Sequence, residues 1–303
     1  MAITAQDVKN LREMTGCGMM DCKKALAASE GDMDKAIEWL REKGLAASAK
    51  KAGRIAAEGM AYACVVDGIG VAVEVNAETD FVGKNEKFVD FVKGVANTVA
   101  KCNPADLDAL MECKYDGTDL TVLQQQQEMV LVIGENIKVR RFARFEGGFS
   151  VPYIHAGGKI GVLVNLEVTG GIDATEIGKD MAMQIAALNP RFWDKSQVTQ
   201  DVLDEEKKIM LAQMANDPKM TSKPDQVKEK IVLGKLNKFY SENCLLQQAF
   251  VKDGDMTVEQ YMNSAAKTLG GTVKFLDAVR FEKGEGIEKK QENFAEEIAK
   301  LAK

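Results

Sequence analysis

The sequence predicts an α+β fold, and two observations lead to that class. Apolar residues recur at helical spacing in several stretches, and in other stretches they alternate with a period of two between glycine-containing turns. The order of elements beyond residue 60 then repeats, with a hairpin, a helix, a second helix and a strand in each set. The sequence therefore predicts two repeated α+β core subdomains.

The pattern of the N-terminal segment predicts helices and no strands. Residues 1–44 contain three stretches with apolar residues at helical spacing, separated by glycines. Thr4 and Asp32 are suited to begin the first and third helices, and Gly44 is expected to end the third. The residues that follow lack aromatic anchors, which is typical of a linker. We therefore expect a three-helix docking module and its linker over residues 1–54.

The first core subdomain is predicted over residues 55–148. Its hairpin spans residues 60–75 and turns at Asp-Gly, a dipeptide that favours a tight two-residue turn. Two helices at residues 88–99 and 121–133 follow, and a strand at residues 137–146 closes the set.

The second core subdomain is predicted over residues 149–189 and 251–286, in the same order of elements. The closing strands of the two sets share the letters Arg-Phe-Glu, which supports a common origin. Its predicted elements are a hairpin at 150–168, helices at 174–188 and 258–269, and a strand at 272–281.

An insertion over residues 190–250 interrupts the second set and predicts a helical hairpin. Its apolar residues exceed what one seam between two helices can hide, so we expect it to pack against another chain or another domain. It is also a candidate surface for dimerisation. Residues 287–303 predict an amphipathic C-terminal helix.

Composition argues against several classes of function. The net charge of −6 and the pI of about 5.2 disfavour direct binding to nucleic acid. No apolar run is long enough for a membrane helix, and the first residues lack the pattern of a signal peptide, which predicts a cytoplasmic protein. The six cysteines contain no Cys-x-x-Cys pair, and we expect them to be small, reduced, buried residues. One histidine, His155, limits the schemes for nucleophilic catalysis.

One segment stands out between the first hairpin and its helix. It runs from Glu74 to Lys84 and contains Thr79-Asp80-Phe81-Val82, which we call the tip. The segment resembles the signature of the elongation factor Ts family, with departures at Ala77 and Gly83; the second is expected to add backbone freedom. Further stretches similar to this family occur in order along the chain: Leu11-Arg12, Thr15-Gly16, Asp21–Leu26, Ile133–Ile137, His155-Ala156-Gly157, Ile160–Val164 and Gly284–Glu288.

The resemblance implies both a fold and a function. It implies a ubiquitin-associated-like helical module, two α+β core subdomains, a helical hairpin and a C-terminal helix. It also implies a guanine nucleotide exchange factor that binds the GTPase elongation factor Tu in its GDP state, disturbs the Mg²⁺ and phosphate site, and promotes GDP release. Such a protein is not an enzyme, and we expect no catalytic residue, cofactor or metal site in the chain.

The resemblance assigns roles to two groups of residues. The tip residues Thr79, Asp80, Phe81 and Val82 are expected to dislocate Mg²⁺ in the partner, with Phe81 as the wedge. The residues expected to bind the partner elsewhere are Arg12, Met19, Met20, Lys23, Ile133, Gly134 and His155.

The residues themselves leave alternatives open. Thr79 and Asp80 are suited to cap the following helix, and Phe81 is of a type usually found in a core. An enzyme that holds Mg²⁺ through Glu74, Glu78 and Asp80 is one alternative function, although no phosphate loop accompanies these carboxylates. A plain adaptor whose N-terminal module binds peptides is another.

Overall fold

The computed structural model describes residues 3–15, 17–217 and 223–288, and it has the predicted α+β architecture. The chain divides into two compact units. The first comprises Met1–Arg144, Ile154–Gly161 and Phe281–Lys303, and the second comprises Phe145–Tyr153 and Val162–Arg280.

Three helices open the first unit: α1 (Ala5–Thr15), α2 (Met19–Ala28) and α3 (Met33–Lys51). The predicted cap of α1 is confirmed, because the Thr4 amide donates to the Asp7 carboxylate at 2.9 Å and the Asp7 amide donates to the Thr4 hydroxyl at 3.2 Å. Asp32 caps α3 as predicted, because its carboxylate accepts a hydrogen bond from the Lys35 amide at 3.1 Å. The three helices bury a small apolar core of their own, to which two residues of a later helix also contribute.

The prediction that α3 ends at Gly44 is wrong, because the helix continues to Lys51 through most of the predicted linker. Gly44 is buried, and a Cβ at this position would lie 3.3 Å from the backbone oxygen of Gln127. The glycine thus permits close packing against another helix, a role that sequence alone does not separate from a stop signal.

The rest of the first unit contains the first of the predicted α+β sets. The turn of its hairpin, at Asp67 and Gly68, has positive φ at both residues, as a tight two-residue turn requires. The three strands form one sheet in the order β1-β2-β3, and its helices cover an apolar core. The sequence did not predict the short α5. The elements of this set are β1 (Glu58–Val66), β2 (Ile69–Ala77), α4 (Glu86–Cys102), α5 (Leu107–Glu112), α6 (Val122–Ile133) and β3 (Lys138–Phe145).

A second three-stranded sheet repeats this order with β4, β5 and the last strand, β8. In both sheets the second strand of the hairpin is central and the strand that closes the set is its other neighbour, so the predicted repeat is confirmed at the level of topology. The five-part division into domains drawn from the sequence stays a prediction. The elements of this set are β4 (Phe149–His155), β5 (Ile160–Thr169), α7 (Thr175–Leu188), α10 (Val258–Leu269) and β8 (Thr272–Glu282).

The insertion contains the two predicted helices, α8 (Gln200–Ala215) and α9 (Asp225–Asn243), followed by a short pair of strands, β6 (Ala249–Phe250) and β7 (Asp253–Thr257). The helices share a seam of buried residues, among them Met214, Leu236 and Phe239. Other apolar side chains remain exposed on both helices: Ile209, Leu211, Val227 and Leu233. The turn predicted between α8 and α9 lies partly outside the described residues, as does the predicted C-terminal helix beyond residue 288.

The expectation for the cysteines is wrong at one pair. Cys102, at the end of α4, forms a disulfide with Cys113, which follows α5. The chain folds back between them through α5, an element absent from the sequence prediction, so the approach of the two thiols could not be anticipated. Three other cysteines are buried, as expected: Cys17, Cys22 and Cys244.

Within the described parts of the chain, no helix combines the length and the apolar character required to cross a bilayer.

Candidate functional site

The tip projects from the end of the first hairpin, where β2 leads toward α4. The Phe81 side chain is 81% exposed, which is exceptional for an aromatic residue, and its neighbours Thr79 and Asp80 are exposed as well. The alternative that Phe81 belongs to the core is therefore wrong. Val82 differs from the other three tip residues, because its side chain is buried in the core of the first unit. It anchors the tip and leaves the other three at the surface.

Backbone packing fixes the C-terminal side of the tip. A single 3-10 turn spans Val82–Lys84, and a Cβ at Gly83 would lie 2.8 Å from the backbone oxygen of Gly59 on β1. Gly83 therefore allows a close approach of two backbone segments, and this packing role replaces the expectation that it adds backbone freedom. The alternative that Thr79 or Asp80 caps α4 is also wrong, because Asn85 is the cap and accepts a hydrogen bond from the Lys87 amide.

A set of hydrogen bonds, here called the clamp, fixes the N-terminal side. The Glu135 carboxylate accepts from the Glu78 amide at 3.0 Å, the Thr79 amide at 2.9 Å and the Thr79 hydroxyl at 2.6 Å. In return, the Glu78 carboxylate accepts from the Asn136 amide at 2.6 Å. The Arg54 side chain forms an ion pair with Glu78, and the backbone carbonyl of Arg54 accepts a hydrogen bond from the Asn136 side chain at 2.8 Å. The clamp thus joins the tip to the loop between α6 and β3.

Below the tip, β2 carries a buried carboxylate, Glu74, which forms ion pairs with Arg140 and Arg141 of β3. Burial alone would raise the pKa of Glu74, but hydrogen bonds from the Gly284 amide, Asn76 and the two arginines outweigh it and hold the pKa below its ordinary value. Because these bonds occupy Glu74, it serves the structure and does not face solvent.

The proposed Mg²⁺-binding set of Glu74, Glu78 and Asp80 is not assembled. Glu74 is committed to the two arginines and Glu78 to the clamp, while Asp80 points to the exposed surface. Among the described residues, no cluster of three or more histidine, cysteine or acidic side chains has the geometry to hold a metal ion.

The N-terminal helices present the second group of predicted residues. Arg12 on α1 and Lys23 on α2 are exposed. Met19 and Met20, at the start of α2, are 56% and 63% exposed, so neither fills a gap in the core. Sequence reasoning missed a third exposed methionine, Met14 on α1, which has a similar exposure. Exposed methionines are suited to an apolar contact with a partner.

The remaining predicted residues lie at the ends of two elements, α6 and β4. Ile133 is half-buried at the end of α6, and Gly134 caps that helix with φ of +86°, a conformation that favours glycine. They directly precede Glu135 of the clamp, so the clamp brings them close to the tip. His155, at the end of β4, is exposed. All the predicted site residues belong to the first unit.

The comparisons with known proteins agree on one family, and the similarity extends over the whole chain. Residues 78–285 match a family model described as elongation factor TS. The chain is 50% identical to elongation factor Ts of Clostridium perfringens strain SM101 over 305 aligned residues, which cover 99% of both chains. It is 46% identical to the proteins of the same name from Syntrophotalea carbinolica and Magnetococcus marinus, with 100% and 99% of both chains covered.

Proposed function

Because the chain belongs to the elongation factor Ts family, we propose that it is a guanine nucleotide exchange factor for the GTPase elongation factor Tu. In this proposal it binds the GDP state, disturbs the Mg²⁺ and phosphate site, and promotes GDP release during translation elongation. The single observation that carries the proposal is the exposed Phe81, held on a tip that is fixed on both sides.

The physics of exchange explains why such a tip is useful. A GTPase retains its nucleotide through a phosphate-binding loop, a lysine and Mg²⁺. A partner accelerates release only if it binds the nucleotide-free state more tightly than the GDP state, because the two affinities are linked. An aromatic wedge that fits a pocket formed on displacement of Mg²⁺ has this preference.

Each tip residue has its own part in the proposal. Phe81 enters the GTPase domain near the Mg²⁺ site and Asp80 offers a carboxylate to polar groups of the partner there. Thr79 holds the backbone through the clamp, and the buried Val82 anchors it in the core. A rigid tip loses little entropy on docking, which favours tight binding.

The other exposed residues extend the contact. Arg12, Met19, Met20 and Lys23 would contact the same GTPase domain as the tip, and Ile133 and Gly134 would contact it beside the clamp. His155 would contact a different domain of the partner. The exposed apolar residues of α8 and α9 would be covered by another chain, and a second copy of this protein is one candidate.

The test is a GDP-release assay with elongation factor Tu loaded with a fluorescent GDP analogue. We expect substoichiometric amounts of the protein to accelerate release and GDP in excess to compete. A plain adaptor would bind without acceleration, which would refute the exchange function. The enzyme alternative is tested by incubation of the chain alone with GTP and Mg²⁺, where we expect no turnover and no GDP binding at micromolar concentration.

A further inference from the structure

We infer that Glu135 is a positioning residue for nucleotide exchange, because its carboxylate holds the backbone that presents Phe81. The inference rests on the proposed function and adds a residue outside the tip to its machinery. Glu135 lies 54 residues beyond Phe81 in the chain, yet it accepts three hydrogen bonds from the two residues at the start of the exposed segment.

The geometry of the carboxylate is specific. Oε2 accepts both backbone amides, from Glu78 and Thr79, while Oε1 accepts the Thr79 hydroxyl. Backbone amides are obligatory donors, so a group that binds two consecutive amides fixes the direction of the chain at that point. Since Thr79 is two residues before Phe81, its orientation determines where the exposed ring stands.

The clamp is reciprocal, and it therefore favours one alignment of the two segments that it joins. While Glu135 binds amides at the start of the tip, Glu78 binds the Asn136 amide in the loop that carries Glu135. Two glutamates, each bound to the backbone of the opposite segment, align the tip with the end of α6. The tip and Gly134 are therefore presented to a partner as one surface.

Acceptor geometry, not charge, is what this role requires. Glutamine keeps a carbonyl oxygen for the two amides, and its NH₂ group can donate to the Thr79 hydroxyl, so Glu135→Gln should retain the clamp. Aspartate keeps the charge, but its side chain is one methylene shorter and cannot reach both amides without backbone movement. If Glu135 acted on the partner through its charge, the order of the two variants would be reversed.

The experiment compares Glu135→Ala, Glu135→Asp and Glu135→Gln with the unmodified protein, and uses Glu167→Ala, an exposed glutamate on β5, as the matched control. Hydrogen exchange at the Glu78 and Thr79 amides of the free protein reports the clamp directly. Stimulated GDP release is measured over a range of exchange-factor concentrations, so that the maximal rate and the half-saturating concentration are separated. Thermal melts report the fold.

We expect the alanine and aspartate variants to lose protection at the two amides and to lower the maximal release rate by about 10- to 100-fold, because one or two backbone residues must then be ordered during exchange. The half-saturating concentration should change by less than about threefold, since the other contacts with the partner remain. Glu135→Gln and Glu167→Ala should behave as the unmodified protein.

A folded Glu135→Ala variant with an unchanged maximal rate would overturn the inference, as would an active aspartate variant beside an inactive glutamine variant. If the alanine variant fails to fold, the aspartate and glutamine pair decides between geometry and charge. If the unmodified protein itself fails to accelerate release, the proposed function is wrong. Hydrogen-exchange protection of the two amides in the Glu135 variants then shows independently whether the carboxylate holds this backbone.

Discussion

Replacement of Phe81 by alanine should separate the proposed partner binding from folding. The ring is 81% exposed, so its removal takes away almost no contact within the folded protein. We expect the free energy of unfolding to change by less than about 0.5 kcal/mol, as is usual for surface substitutions.

The effect on exchange should be much larger. Burial of the ring in the proposed partner pocket would contribute about 2 to 3 kcal/mol, because four-fifths of its surface is available to be removed from water. If that pocket forms in the nucleotide-free GTPase, Phe81→Ala should reduce stimulated GDP release by roughly 30- to 150-fold. Stopped-flow release of a fluorescent GDP analogue measures this, and circular dichroism melts measure stability.

Phe88 is the matched control, because it is a phenylalanine on α4 that is fully buried in the same unit. Phe88→Ala should cost about 3 to 5 kcal/mol of folding stability, as for other large-to-small changes in a core. The reasoning would be refuted if Phe81→Ala melted as early as Phe88→Ala, or if it stayed folded and retained full exchange activity.

Three further changes test other parts of the structure. Glu74→Gln should lower the free energy of unfolding at pH 7 by about 3 kcal/mol, because it leaves two arginines without a buried partner. The folded state holds the pKa of Glu74 below its ordinary value of 4.5, so the stabilisation from this carboxylate is complete above pH 4.5 and is lost as the pH falls through the folded-state pKa. Denaturant titrations from pH 7 to pH 3 should therefore show a smaller loss of unfolding free energy in Glu74→Gln than in the unmodified protein. Met20→Ala should weaken GTPase binding by roughly 10-fold in calorimetry and leave the melting temperature unchanged, because the side chain is 63% exposed. Gly83→Ala should lower both the melting temperature and stimulated release, with a cost of about 1 to 3 kcal/mol, because its Cβ would meet the Gly59 oxygen; a neutral result in both assays would contradict the packing role.

Periodicity and turn chemistry were sufficient to predict most elements. The Asp-Gly turn, the caps at Thr4 and Asp32 and the repeated order of hairpin, helices and strand are local patterns, and local hydrogen bonds and side-chain spacing enforce them. Gly44 was misjudged because its effect depends on α6, which passes against it from far along the chain. The Cys102–Cys113 disulfide was missed for a similar reason, since a short helix between the two residues brings them together.

The candidate site also has one part that the sequence predicted and one part that it did not. The tip was identified by its resemblance to a family signature, whereas its support could not be predicted from spacing. Glu135 stands in one of the stretches similar to the family, but nothing in that stretch indicates that its carboxylate binds amides 56 and 57 residues earlier.

Energetics explain why the candidate surface extends beyond Phe81. Loosening of GDP by about 10⁴-fold requires roughly 5.5 kcal/mol of preference for the nucleotide-free state. The ring of Phe81 supplies only about half of that, even when it is completely buried. The exposed methionines of α1 and α2 can add apolar contact, but contacts made equally in both states of the GTPase add affinity without preference. In the proposed function, the rest of the preference comes from groups held in the same hydrogen-bonded frame as the tip, and the clamp forms this frame by joining Glu78 and Thr79 to Glu135 and Asn136. A rigid frame of this kind would, in the proposed function, transmit strain to the nucleotide site, whereas a flexible loop would relieve that strain by moving.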